Sequence, residues 1–87
     1  MPRVFIPPLL QKHADGHREI DIDGATVGDV IDELERRFPA LTGRLREGEA
    51  LRSGLMVAVD STISDRGLLQ HLPPDCEVHF LPSVGGG

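Results

Sequence analysis

One segment constrains the fold more than any other. In GATVGDVIDELERRFP, residues Val27, Val30, Ile31, Leu34 and Phe38 recur at the three- and four-residue spacing of a helix and form an apolar stripe. On the other side, Asp32 with Arg36 and Glu33 with Arg37 are spaced as i,i+4 ion pairs. Gly24 breaks what precedes, Thr26 with Asp29 resembles a capping box with Asp in place of Glu or Gln, and Pro39 disfavours helical geometry at Phe38. The spacing therefore predicts one amphipathic helix over 27–38, whose apolar stripe has to be covered by something else.

The remaining patterned segments read as strands. Arg3 to Ile6 is short and apolar, and Pro7-Pro8 removes two ladder donors, so a first strand ends near Ile6 or resumes irregularly at Leu9 and Leu10. Asp15-Gly16 supplies a hairpin turn, and HREIDID alternates Ile20 and Ile22 with acidic residues, as a strand with one wet face does. ALTGRLREGEALRSG predicts a short helical turn around 41–45 and then a loop. LMVAV (55–59) is an unbroken apolar run that suggests burial on both faces. A short strand at Thr62 and Ile63, an ambiguous LLQHL and a turn at PPDC lead into EVHFL (77–81), which alternates again before Pro82 closes it.

One helix over one face of such strands is the α+β layer solution for a short chain. If the first and last strands lie side by side, they must be parallel, because the elements between them supply the long connection that parallel pairing requires. This order describes a β-grasp (ubiquitin-like) fold: a mixed sheet of four to five strands with one main helix on one face. The chain has 87 residues, so residues 1–82 make a single domain and residues 83–87 a flexible tail.

Charge and cysteine content narrow the partners. Nine Lys and Arg against fourteen Asp and Glu give a formal charge of −5, with no basic run and no aromatic platform, which argues against nucleic acid. No apolar run approaches the ~20 residues of a membrane helix, MPRVFIPPLL lacks the apolar core of a signal peptide, and Cys76 is the single cysteine. The expectation is a cytoplasmic protein without membrane contact.

The chain finishes LPSVGGG. From an anchor at the last strand, residues 83–87 reach roughly 17 Å at ~3.4 Å each, and glycines without Cβ atoms pass through a narrow channel. The Gly87 carboxylate is ionised at neutral pH and able to attack the α-phosphate of ATP in an enzyme's site. The resulting acyl adenylate, once AMP is displaced by sulfide or persulfide, becomes a thiocarboxylate. By composition alone, the same glycines are equally an inert end.

The ending FLPSVGGG resembles the apolar–Pro–x–Val–x–Gly–Gly terminus of the ubiquitin-like sulfur carriers of the ThiS/MoaD family, with Gly85 where alanine is frequent. IPPLLQKHADG followed by GATVGDVIDELERRFPALTGRL is most similar to the branch serving cysteine or methionine biosynthesis, others serving thiamine and molybdopterin. Two segments depart from the pattern. VAVDSTISDRG lacks the asparagine common after the third strand, and PPDCEV replaces a D-G-D-x-V turn.

The resemblance implies a β-grasp fold and sulfur carried on Gly87, threaded through Gly85 and Gly86. It implies an E1-like adenylating enzyme that uses ATP and magnesium, and a sulfur-accepting synthase. The carrier is then a protein substrate that has no catalytic residue and binds no cofactor or metal itself. Phe80, Leu81, Pro82 and Val84 are the expected docking residues, Leu81 because it shares the outward facing of Glu77 and His79. Two other readings stay open: a ubiquitin-like modifier joined through its diglycine to lysines, and a non-conjugating β-grasp interaction domain.

Other reactive residues have simpler explanations. His13 and His17 are four apart, but Asp15-Gly16 interrupts the helix that would align them, and they read as solvated turn residues. His71 and His79 have no nucleophile companion. Cys76 has Asp75 and Glu77 beside it, which raise a thiol pKa, so it reads as inert.

Overall fold

The structure, a computed structural model, describes residues 1–83. Its strands are β1 (Arg3–Phe5), β2 (Glu19–Asp21), β3 (Arg46–Glu47), β4 (Ala50–Leu51), β5 (Leu55–Val59), β6 (Thr62–Ile63) and β7 (Glu77–Pro82), with one α-helix, α1 (Val27–Arg37), between β2 and β3. Five strands form a mixed sheet in the order β2-β1-β7-β5-β6, while β3 and β4 make a separate hairpin. The last strand is central. It runs parallel to β1, with Val4 opposite Val78, and antiparallel to β5, with Val57 opposite Phe80. This is the expected β-grasp arrangement, and α1 covers one face.

The apolar stripe of α1 explains the packing. Val27, Val30, Ile31 and Leu34 are buried against Val4, Val57, Val78 and Phe80 of the sheet, and no polar or charged residue among those described is buried. Thr26 Oγ1 accepts a hydrogen bond from the Asp29 amide at 3.2 Å, and Asp29 Oδ2 accepts one from the Ala25 amide at 3.2 Å. The box thus closes on Ala25, one residue earlier than the standard pattern. At the other end, the Phe38 amide donates to Leu34 O at 2.8 Å before Pro39 forces the chain away.

Several expectations are corrected. Leu9 and Leu10 do not resume the first strand, which ends at Phe5. Pro8 has no N–H to lose, and it opens a 3-10 helix over Pro8–Ala14 in which the Leu10 amide donates to Pro7 O at 2.8 Å. Asp15 and Gly16, at φ 54° and 79°, terminate that helix through Gly16 N–H to Gln11 O, and do not join two strands directly. The segment expected as a loop after residue 45 contains the β3–β4 hairpin, which turns at Gly48 with φ +60°.

The ion pairs also differ. Glu33 does pair with Arg37, at 2.8 Å, but Arg36 turns back to Glu33 as well. That releases Asp32 to reach Arg46 at 2.6 Å, and this pair ties α1 to β3. On β5 only Val57, Ala58 and Val59 are buried. Met56 is half-exposed because it points to the face that the helix leaves open, whereas Leu55 shares the inward facing of Val57 and packs, half-buried, against the core. LLQHL resolves into a 3-10 turn at Gly67–Leu69 and a bridge between His71 and Thr26. No helix among the described residues is long and apolar enough to cross a membrane.

Candidate functional site at the root of the C-terminal segment

Because β7 is the central strand, the chain leaves the sheet from its middle. Met56 stands opposite Leu81, Leu55 opposite Pro82, and the Ser83 amide still donates to Gly54 O at 2.8 Å. The root of the segment is therefore held on the neighbouring strand up to Ser83. Val84, Gly85, Gly86 and Gly87 lie outside the described residues.

Alternation along β7 sends Val78 and Phe80 into the core and Glu77, His79 and Leu81 to the face that α1 leaves open. Register extends this into a row across four strands: Phe5 opposite His79, His79 opposite Ala58, and Ala58 opposite Ile63. The His79 imidazole stacks on Phe5 with centroids 4.1 Å apart and planes within 6°. Met56 and Leu81 form the next row toward the root, so the open face is apolar at its centre. Its edge is charged. Arg3 lies 3.3 Å from Asp21 and 3.8 Å from Glu19, and Glu77 Oε1 lies 3.3 Å from His79 Nε2.

Of the expected docking residues, Leu81 is half-buried on this face and Pro82 is exposed. Phe80 is corrected. It is 3% exposed, because it shares the inward parity of Val78, and its ring is unavailable to a partner. A hollow of about 520 Å³ borders Leu81 and is lined by Phe5, Pro7, Arg18, Glu19 and His79. Sequence reading passed over Phe5, Met56 and Ile63. The signal was available in their parity, but only the register puts them on one surface.

The other candidates are dispersed. His17 Nδ1 sits 2.8 Å from Ala14 O and its ring tilts against Phe38. Among the described residues no group of three or more His, Cys, Asp or Glu is placed to hold a metal ion. Cys76 is 1% exposed; burial first, then the nearby carboxylate of Asp60 and that of Asp75, push its thiol pKa up. A raised pKa and no solvent access leave it little thiolate to react.

A family model described as "ThiS family" matches residues 10–87, which is most of the chain and includes the terminal glycines. The chain belongs to the ThiS family. Among curated relatives, the sulfur carrier protein CysO of Mycobacterium tuberculosis is 29% identical over 89 residues, covering 97% of this chain and 96% of the relative. Among solved structures, a chain of the Amycolatopsis orientalis BexX/CysO complex matches with TM-score 0.88 and 30% identity over the whole of both chains. Small archaeal modifier protein 1 from Methanosarcina acetivorans matches with TM-score 0.79 and 25% identity, covering 99% of this chain and 95% of the other. In this fold the central last strand brings Pro82 and Ser83, the root of the C-terminal segment, beside Leu81 and Met56 of the open face.

Proposed function

We propose that the protein is a sulfur carrier of the CysO type, a protein substrate and not a catalyst, whose reactive group is the carboxylate of Gly87. The observation that carries this reading is the family match running through residue 87, on a fold whose central strand leads directly into that terminus. In an E1-like activating enzyme, a Gly87 carboxylate oxygen attacks the α-phosphorus of ATP, and the bond from that phosphorus to the pyrophosphate oxygen breaks. Pyrophosphate leaves and an acyl adenylate remains. Hydrosulfide then attacks the acyl carbon and expels AMP, and loss of the proton gives the thiocarboxylate that a synthase consumes. ATP and its magnesium ion belong to the activating enzyme.

The carrier's own contribution is positioning. The open face around Phe5, His79, Met56 and Leu81 supplies apolar area for docking, and the exposed Pro82 marks the point where the segment departs. Beyond the Ser83 hydrogen bond, residues 84–87 can reach at most roughly 14 Å at ~3.4 Å each, and Gly85 and Gly86 lack the Cβ atoms that would obstruct a narrow recessed site. Cysteine or methionine biosynthesis is the receiving route that the CysO relatives favour. A second reading, a ubiquitin-like modifier, is supported by the small archaeal modifier neighbours and shares the adenylation step.

Extension of the chain by one alanine after Gly87 tests the reading. The extended protein should keep its fold and lose ATP–pyrophosphate exchange with the activating enzyme. Undiminished exchange would refute Gly87 as the reactive group.

A further inference from the structure

Beside the root, on the side away from the open face's centre, lies a second concavity of about 410 Å³. Pro7, Leu9, Leu10, Leu55 and Pro82 give it an almost wholly apolar lining, and Arg44 and Arg52 stand at its edge. Leu9 is 85% exposed, the highest value among the large apolar side chains described, and its burial by a partner would be favourable. No carboxylate lines the groove.

The charge around it runs against that of the chain. Arg3, Arg36, Arg37 and Arg46 are each paired with a carboxylate. Arg44 and Arg52 have no such partner among the described residues, and neither do Lys12, on the 3-10 helix that forms one wall, and Arg18, on the adjoining hollow that shares Pro7 and Pro8. His13, on the same wall, has its pKa lowered by desolvation and then by the positive charges of Arg44 and Lys12, so these cations share one end of the molecule. Arg44 Nε donates to Ala40 O at 2.9 Å and Arg52 Nη1 to Gly43 O at 2.8 Å. These bonds hold each guanidinium in place while its remaining N–H groups stay available to an acceptor.

We propose that this groove seats an acidic, aliphatic segment of the activating enzyme, with apolar side chains on Leu9, Leu10 and Leu55 and carboxylates on Arg44 and Arg52. The proposal rests on the adenylation reading above. It places the contact at Pro82, where any enzyme that takes in residues 83–87 must come close. Guanidiniums beside an aliphatic lining select a protein segment that carries both carboxylates and aliphatic side chains, since a nucleic acid has no aliphatic side chains to place on Leu9, Leu10 and Leu55.

The test compares the full-length protein with R44E/R52E and the charge-preserving R44K/R52K for binding to the activating enzyme and for ATP–pyrophosphate exchange at several salt concentrations. Reversal should weaken binding about tenfold at low salt, flatten the salt dependence and raise KM with kcat unchanged, while R44K/R52K stays near wild type. Equal binding and equal salt dependence for R44E/R52E, with wild-type exchange intact, would overturn the groove proposal alone. Absence of exchange by wild type would overturn the adenylation reading and this proposal with it. If removing residues 84–87 from the free protein shifts the NMR resonances of Leu9 and Leu55, the chain's own end is the occupant, and the proposal is likewise overturned.

Discussion

His79 on the central strand lies flat against Phe5 of the parallel strand beside it, 4.1 Å between ring centroids and 6° from coplanar. Their backbones are direct partners in the ladder, so the stack follows from register and parity. It joins the first and last strands on the face that the helix leaves open, and it is the aromatic centre of the surface assigned to docking.

Replacement of Phe5 by alanine should therefore have two separable effects. Loss of the stack and of half-buried ring area should lower stability by about 1–2 kcal/mol, measured by urea denaturation. The KM of the activating enzyme for the carrier should rise several-fold with little change in kcat, because docking surface acts equally on ground and transition states. An unchanged KM would remove Phe5 from the docking surface.

Glu33 gives a prediction about acid. Hydrogen bonds from Arg36 first, then from Arg37, hold its pKa down from the ordinary 4.5 to about 2. A carboxylate with a depressed folded-state pKa contributes stability that is complete above its unfolded value and is lost as pH falls through the folded one. The wild type should thus exceed E33Q in urea midpoint at pH 7, and the gap should close between pH 4.5 and about 2. A gap that is constant across this range would mean that the pairs contribute no charge-dependent stability.

Cys76 should behave as a core residue. With 1% exposure and a thiol pKa raised mainly by burial, it should resist a disulfide reagent at pH 8 in the native protein and react at once in denaturant. C76A should accept sulfur at Gly87 as well as wild type does. Rapid native labelling, or loss of sulfur loading in C76A, would give the thiol a part in the chemistry.

The elements legible in the sequence were those with strong local pattern. The stripe from Val27 to Phe38 specified the helix and its buried face, and the alternation from Glu77 to Leu81 specified which side of the last strand faces out. What escaped depended on contacts between distant residues. Pro7-Pro8 announces a break, but the 3-10 helix that follows is stabilised by docking its buried Ala14 and half-buried Leu10 on the core. The hairpin at 46–51 has no β-branched residue to mark it, and Arg46 fixes it through Asp32 on the helix.

The site was legible unevenly for the same reason. Leu81 and Pro82 could be placed beside the root from strand parity, whereas Phe80, named with them, belongs to the core by that same parity. Lys12, Arg18, Arg44 and Arg52 form no run in the sequence, so the chain reads as uniformly acidic. Folding gathers them near Pro7, Pro8 and Leu10, a local positive charge on a chain whose net charge is −5.

The central claim is most directly tested by the intact mass of the purified protein after incubation with its activating enzyme, ATP and sulfide, with a Gly87 deletion as control. The account predicts a gain equal to the difference between one sulfur and one oxygen atom, located in the last peptide and absent from the deletion. An unchanged mass with a competent enzyme, or the appearance of the chain in higher-mass conjugates with other proteins in place of that gain, would contradict it.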